Sequence, residues 1–194
     1  MPLITRESLW TLEAYAKERP AFREKVLAHK KDRNVDIGQH VRLIFEDELT
    51  VRYQVQEMLR IEKTFEEAGI MEELSAYNPL IPTGREFKAT MMIEYPDPAQ
   101  RKIELARLKG IEDKVYVQAE GADRVYAIAD EDMDRSNDEK TSAVHFLRFT
   151  LTDDMAAALK YGVSLTIGID HENYRATISP VSDATRQSLI GDLA

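Results

Sequence analysis

Eight polar residues have the types and positions that a carboxylate–histidine site would need. They are Gln54, Glu57, Glu62, Glu94, His145, Asp170, His171 and Tyr174. Carboxylates and imidazoles in a chain without thiols suit iron, manganese or zinc, and the same groups can act as general acids and bases. We predict that Glu62, Glu94 and His145 are the ligands of such a divalent metal, with the last three residues of the set at the rim of the pocket.

Each of these residues also has a structural interpretation. A single histidine on an apolar strand is more often a hydrogen-bonded core residue than a ligand, and an Asp-His pair at a strand end is commonly part of a turn. Gln54 and Glu62 can pair with arginine or with backbone groups. The sequence contains no HExxH and no His-x-His spacing, and it lacks GxGxxG, P-loop and GxSxG motifs. Metal binding and catalysis therefore remain open alternatives.

A long central helix, predicted from about Glu48 to Leu74, must position the first part of this set. At helical spacing, Val51, Val55, Met58, Ile61 and Phe65 form one apolar stripe. Gln54 and Glu62 project into the same arc. Because buried polar groups need partners, we expect them to face His145 or Glu94 across a sheet.

The remaining elements predict an α+β fold in which an antiparallel sheet packs against this helix and against N-terminal helices. Thr5 begins a first helix, and a second one restarts at Pro20 and continues to about Lys31. Asn34, Asp36 and Gly38 indicate a turn. Strands are predicted over residues 41–45, 87–95, 114–120, 124–129, 141–151, 163–169 and 175–178, and further helices begin at Asp97, Thr152 and Ser182. We interpret residues 1–194 as a single domain.

Composition excludes several classes of protein. The absence of cysteine excludes disulfides, thiolate metal sites and cysteine nucleophiles. A formal net charge of -9 argues against nucleic acid as a partner, and no apolar run is long enough for a membrane span. We therefore expect a cytoplasmic protein. The basic residues of the early chain indicate either a solvated helix face or a docking patch for an acidic partner; they are Lys17, Arg19, Arg23, Lys25, Lys30, Lys31 and Arg33.

Five segments of the chain have a recognisable pattern: Phe45-Glu46, Gln54-x-x-Glu57-Met58-x-Arg60-x-Glu62, Glu73-Leu74-x-x-Tyr77-Asn78-x-Leu80-Ile81-Pro82, Ala89-Thr90-x-Met92-Ile93-Glu94 and Asp170-His171-x-x-Tyr174. Together they resemble one uncharacterised bacterial family, the domain-of-unknown-function family numbered thirty-five-oh-one. The resemblance covers nearly the whole chain and implies no catalytic residues. It implies a genomic neighbourhood of rubrerythrin-like proteins and iron–sulfur oxidoreductases, and hence a role in handling oxidants or electrons.

Two functional hypotheses follow. The first is an accessory or binding protein that serves a redox system, docking a partner protein through the basic early helices or the acidic segment 130–140. The second is a metal-binding protein or enzyme with a carboxylate–histidine pocket. A homodimer is compatible with either hypothesis.

Overall fold

The structure, a computed structural model, describes residues 3–131, 135 and 139–194. Within these residues the α-helices are α1 (Leu12–Lys30), α2 (Glu48–Glu62), α3 (Glu67–Tyr77), α4 (Pro98–Arg107), α5 (Asp153–Lys160) and α6 (Asp183–Ile190). The strands are β1 (Asn34–Ile37), β2 (Val41–Glu46), β3 (Glu86–Ile93), β4 (Val115–Ala119), β5 (Val125–Tyr126), β6 (Ile128–Ala129), β7 (Val144–Thr150), β8 (Leu165–His171) and β9 (Tyr174–Ile178). Short 3-10 turns cover Arg6–Ser8, Asn78–Leu80 and Ile111–Lys114. The α+β class is confirmed. No helix in the described ranges has the length and hydropathy that crossing a bilayer requires.

The strands form two antiparallel sheets instead of the one that was predicted. The larger sheet has the order β1-β2-β3-β7-β6 and the smaller has the order β5-β4-β8-β9. The chain passes from the smaller sheet to the larger at Ala127, whose N–H donates to the Val115 carbonyl at 2.9 Å. The segment predicted as a turn at 34–38 is mostly β1, an edge strand paired with β2.

The main core lies on the inner face of the larger sheet and includes apolar residues of both sheets. The alternation predicted for β3 is confirmed, since Phe87, Ala89, Met91 and Ile93 are all at most 3% exposed. Residues of opposite parity on β3 and β7, such as Thr90 and Phe146, face outward. Helices α2 and α3 lie over this outer face and form a separate apolar cluster with each other.

The prediction of one long central helix is wrong, because this segment forms two helices, α2 and α3, with a turn between them. Lys63 has left-handed backbone angles (φ 55°, ψ 37°), and its N–H donates to the Leu59 carbonyl, which closes α2. The Thr64 N–H donates to the same carbonyl at 2.9 Å. As a result Ile61 and Phe65, which were expected in the apolar stripe, are 61% and 72% exposed.

The predicted interruption at Pro20 is also wrong. Pro20 lies inside the continuous helix α1. Buried Tyr15 precedes it and buried Phe22 and Val26 follow it, and these three side chains form one cluster against α2. Because tertiary packing supplies most of the stability of a protein helix, packing on both sides outweighs the hydrogen bond that proline cannot donate.

Candidate functional site

The four residues predicted to converge lie apart, two on α2, one just after β3 and one on β7. Gln54 is exposed and lies over the outer face, where it lines a small cavity of about 230 Å³. Glu62 is exposed near the end of α2. Glu94 is about half exposed and lies 3.7 Å from the guanidinium of Arg42. His145 is fully buried on the inner face, opposite Met91 in the strand register. The structure therefore does not bring these side chains together around one cavity.

His145 has hydrogen-bonding partners on both ring nitrogens. Its Nδ1 lies 2.5 Å from Asp130 Oδ2, and its Nε2 lies 2.8 Å from Thr141 Oγ1 and 3.0 Å from the Ser142 carbonyl oxygen. The Thr141 hydroxyl donates to Glu112 at 3.0 Å. The network joins β7 to the segments before it and to the turn Ile111–Lys114. His145 thus has the contacts of a core histidine whose polar atoms are satisfied.

Glu57 joins α1 to α2. One carboxylate oxygen accepts from the Tyr15 hydroxyl at 2.8 Å and from Arg19 Nε at 2.7 Å, and the other accepts from Arg19 Nη2 at 2.9 Å. These hydrogen bonds, that from Arg19 above all, lower the pKa of Glu57 to about 2. A carboxylate held so firmly in its charged form is suited to structural pairing more than to proton transfer.

Asp170 and His171 belong to the hairpin of β8 and β9. Asp170 lies 3.2 Å from the Arg124 guanidinium. His171 Nε2 lies 3.1 Å from the Lys109 carbonyl oxygen, and its Nδ1 accepts the Asn173 N–H at 3.2 Å. These contacts fix the hairpin turn against the segment after α4.

Tyr174 holds the turn between β1 and β2. Its hydroxyl donates to the Ile37 carbonyl at 2.6 Å and accepts the His40 N–H at 3.1 Å. Gly38 in this turn has φ +75°, and a Cβ placed on it would lie 2.6 Å from the Tyr174 hydroxyl oxygen. The contacts of the Tyr174 hydroxyl with this turn therefore require a glycine at position 38.

The basic early residues do not form one surface. Lys17, Arg23 and Lys25 are exposed on α1, whereas Arg19 pairs with Glu57. Arg33 is 1% exposed and belongs to a buried network. The acidic segment predicted to dock a partner is described only in part, since residues 132–134 and 136–138 lie outside the described residues.

The buried network of Arg33 connects the early chain to its last helix. The guanidinium donates to the carbonyls of Phe45 at 2.9 Å and Glu46 at 3.0 Å, and it lies 2.5 Å from Asp192 and 3.4 Å from Asp47. Burial raises the pKa of Asp192 to about 6, although the charge of Arg33 acts in the opposite direction. Asp47 also lies 2.5 Å from His29 Nε2, so each carboxylate of the network already has a partner within the protein and the network is structural.

Across the described ranges, no group of three or more histidine, aspartate or glutamate side chains is placed to hold a metal ion. Glu62, Glu94 and His145 in particular are separated, as described above. The geometry therefore gives no support to the predicted metal site.

A cleft of about 530 Å³ lies between α3 and the outer face of the larger sheet. One wall is the last turn of α3 with the 3-10 turn after it, and the floor is formed by β3 and β7. The apolar side chains in its lining include Ala76, Tyr77, Pro79, Leu80 and Phe146. The smaller cavity beside Gln54 shares Tyr77, Leu80 and Phe146 with it, so the two spaces adjoin.

Three cations line the cleft, and each has an acidic partner. Arg148 makes a two-pronged pair with Glu131, at 2.8 and 2.7 Å. Lys88 lies opposite Arg148 in the strand register and donates to the Pro79 carbonyl at 2.6 Å. Arg135 lies 3.3 Å from an oxygen of Asp130. The cations of the cleft are therefore largely neutralised by the protein itself; the acidic partner of Lys88 is Glu86.

Glu73 is different, because its carboxylate has no such partner in the described structure. Glu73 Oε2 is buried and makes no hydrogen bond with any described residue. Burial raises the pKa of Glu73, and the negative charges of Glu62 and Glu72 raise it further. A buried polar atom that is left unpaired is costly and uncommon in folded proteins. Glu73 is therefore the polar group of the cleft that is best placed to receive a ligand.

A larger depression, of about 830 Å³, lies on the other side of α3 and is lined by residues of the early chain such as Ile4. Glu73 does not line it. We therefore take the cleft over the sheet as the candidate site.

Glu73, Lys88 and Arg148 were not predicted as site residues. The alternation of β3 already indicated that Lys88 faces away from the main core. Its position opposite Arg148 depends on the pairing of β3 with β7, which one sequence does not reveal. Two predicted residues lie close to the cleft: Gln54 lines the adjoining cavity, and the charge of Glu62 acts on Glu73 and raises its pKa.

Comparisons with known proteins place the chain in a family without assigning it an activity. A family model described as "Protein of unknown function (DUF3501)" matches residues 3–193, so the chain belongs to this family. A crystal structure of a novel protein of unknown function from Burkholderia pseudomallei K96243 is 54% identical, with a TM-score of 0.94 over 100% of both chains. No curated protein matches the chain.

Proposed function

We propose that this protein binds a small organic molecule in the cleft between α3 and the outer face of the larger sheet. The observation that carries the proposal is Glu73, whose buried carboxylate oxygen is unpaired within the described structure and lies at a cavity of about 530 Å³. That volume is within the range of about 300–1,000 Å³ that is usual for small-molecule sites.

The lining of the cleft supports a ligand with an apolar or aromatic body. Tyr77, Leu80 and Phe146 offer a continuous apolar surface that extends into the adjoining cavity. Polar groups at the periphery would orient the ligand, as they do in most small-molecule sites.

Titration of the protein with three aromatic probes of similar size tests the proposal. The probes are phenethylamine, 2-phenylethanol and 3-phenylpropionate. We expect at least one to shift the backbone amide resonances of Tyr77, Phe146 and Arg148 in two-dimensional NMR spectra, with saturation. If none of the three shifts these resonances at millimolar concentration, the proposal is wrong.

A pair of tryptophan variants on α3 localises the binding. Ala76 lines the cleft, whereas Ala68 is exposed on the same helix outside it. We expect Ala76→Trp to fill part of the cavity and to weaken binding by at least about tenfold, a loss that corresponds to about 1.4 kcal/mol. Ala68→Trp adds the same side chain to the same helix and should leave binding unchanged. Equal losses in both variants would contradict binding in the cleft.

A role as the accessory protein of a redox system remains a prediction that rests on the family resemblance. A ligand-binding protein is compatible with such a role, and exposed Lys17, Arg23 and Lys25 are available on α1 for an acidic partner. Pull-down from native cells at several salt concentrations tests it. Recovery of a rubrerythrin-like protein or an iron–sulfur oxidoreductase would support the role, and recovery of neither would count against it.

A further inference from the structure

We infer that the ligand of this cleft carries an ammonium group, which binds the carboxylate of Glu73. The inference rests on the proposed function and specifies the chemical class of the ligand: an apolar or aromatic primary amine. It follows from the distribution of unpaired charge around the cleft, not from the number of acidic residues in it.

The charge balance differs between the two sides of the cleft. On the sheet side, Arg148 is paired with Glu131 and Arg135 is paired with Asp130. Lys88 lies 3.6 Å from Glu86. An anionic ligand would have to compete with an existing carboxylate at each of these cations, and this weakens the case for a carboxylate or phosphate ligand.

On the α3 side the imbalance is negative. Glu73 Oε2 has no hydrogen-bond donor in the described structure, and Glu62 and Glu72 are close enough to disfavour its charged form. An ammonium group would donate to the buried oxygen and would also offset this repulsion. A neutral hydroxyl group would satisfy the hydrogen bond without relieving the repulsion. Hydrogen bonds to charged groups are stronger than neutral ones, so the amine is the favoured partner.

The apolar surface beside Glu73 makes the site specific for an organic amine over an inorganic cation. Tyr77 and Phe146 lie along the same cleft, and an aromatic body would bury apolar area against them. A metal ion would require further oxygen or nitrogen ligands, and no such group is gathered in the part of the chain that the structure describes.

The affinity for the amine should increase with pH. Burial raises the pKa of Glu73, so its carboxyl takes up a proton at a higher pH than an ordinary glutamate does and then loses its attraction for an ammonium group. Phenethylamine itself stays protonated throughout this range. The other titratable or charged groups that face Glu73 or line the cleft are Glu62, Glu72, Tyr77, Lys88, Glu131, Arg135 and Arg148.

The three aromatic probes, used with the full chain, test the inference. We expect phenethylamine to bind at least about tenfold more tightly than 2-phenylethanol or 3-phenylpropionate. We expect Glu73→Gln, which keeps the size of the side chain, to remove this preference while 2-phenylethanol still binds. If Glu73→Gln does not fold, the pH dependence in the unmodified protein provides the test, since only the amine should bind more tightly as the pH rises from acidic to neutral.

The possible results separate the inference from the proposed function. If 2-phenylethanol or 3-phenylpropionate binds in the cleft as tightly as the amine does, the cleft is a binding site and the ammonium inference is wrong. If no probe binds, both are wrong. If phenethylamine binds equally well to Glu73→Gln, its ammonium group does not contact Glu73 and the inference is overturned.

Discussion

Replacing Arg33 by methionine should destabilise the protein strongly, because Arg33 is 1% exposed and is the cation of a buried network. Methionine keeps most of the length and the apolar stem of the side chain but removes the guanidinium. The carboxylate of Asp192, which is 3% exposed, would then lose its buried cation, while Asp47, which is 7% exposed, would keep its contact with His29. The carbonyls of Phe45 and Glu46 would lose a donor each.

The contacts set the magnitude of the loss. Removal of one member of a buried ion pair typically costs about 3–5 kcal/mol, because the remaining charge is left without a partner. For a protein of this size, each kcal/mol lowers the melting temperature by about 2–4 °C. We therefore expect Arg33→Met to lower the melting temperature by about 10 °C. The same substitution at exposed Arg23 on α1 is a matched control and should change it by no more than about 2 °C.

The loss should depend on pH. The folded-state pKa of Asp192, about 6, is above its usual value of 3.8. A carboxyl whose pKa is higher in the folded protein than in the unfolded chain takes up its proton at a higher pH in the folded protein. Protonation of Asp192 therefore increases the free energy of unfolding as the pH falls from about 6 to 4. Arg33 lowers the pKa of Asp192, so this increase in stability at low pH should be larger in Arg33→Met than in the unmodified protein. The loss caused by Arg33→Met should therefore be smaller at pH 5 than at pH 7.5.

Urea unfolding followed by circular dichroism at both pH values measures these free energies. The double variant Arg33→Met with Asp192→Asn removes the carboxylate that the single variant leaves unpaired, and it should recover at least about 1 kcal/mol of stability. If Arg33→Met costs less than about 1 kcal/mol at pH 7.5, or if the double variant is no more stable than the single one, the network is not the stabilising element described here.

Two further predictions concern Glu57 and Gly38. The pKa of Glu57 in the folded protein is about 2, below its usual 4.5, so its pairing with Arg19 should stabilise the protein above pH 4.5, and this contribution should be lost as the pH falls to 2. In urea unfolding, Glu57→Gln should therefore lose less stability over this range than the unmodified protein does, by on the order of 1 kcal/mol after allowance for solvent screening. Gly38→Ala should cost about 2–3 kcal/mol, because the new Cβ would be strained at φ +75° and would clash with Tyr174. Gly121→Ala is the control, because Gly121 has φ +81° with open space around it and the substitution introduces backbone strain without a clash. It should cost about 1 kcal/mol in the same assay. Equal losses at both glycines would show that the clash with Tyr174 does not contribute.

Local chemistry made much of the fold predictable. The alternation of Phe87, Ala89, Met91 and Ile93 indicated a strand with one buried face, and the structure confirms it. Asp97, Thr152 and Ser182 were read as helix starts, and each accepts the expected backbone hydrogen bond. In all these cases the signal lies within a few residues of the element that it predicts.

The errors arose where distant packing decides the outcome. Pro20 would end an isolated helix, but aromatic contacts on both sides of it keep α1 continuous. The turn at Lys63 contains no glycine from which the end of α2 could have been predicted. The candidate cleft requires that Glu73 of α3 lies beside the sheet and that Lys88 of β3 lies opposite Arg148 of β7 in the strand register. Both arrangements bring together residues that are far apart in the sequence. His145 was singled out correctly as a polar residue on an apolar face, and its partners proved to be core hydrogen bonds.

The turn at Lys63 also determines how much of the sheet the helices can cover. An unbroken helix over α2 and α3 would have roughly 30 residues and a length of about 45 Å. The eight residues of β3 extend over only about 26 Å. Such a helix would extend well beyond the edge of the sheet, and Glu73 would be carried into solvent. Because the chain turns back at Lys63, α3 returns over β3 and β7 and encloses the space beneath it. The left-handed conformation of Lys63 thus allows α3 to cover part of the outer face of the sheet, which a straight helix would leave exposed to solvent.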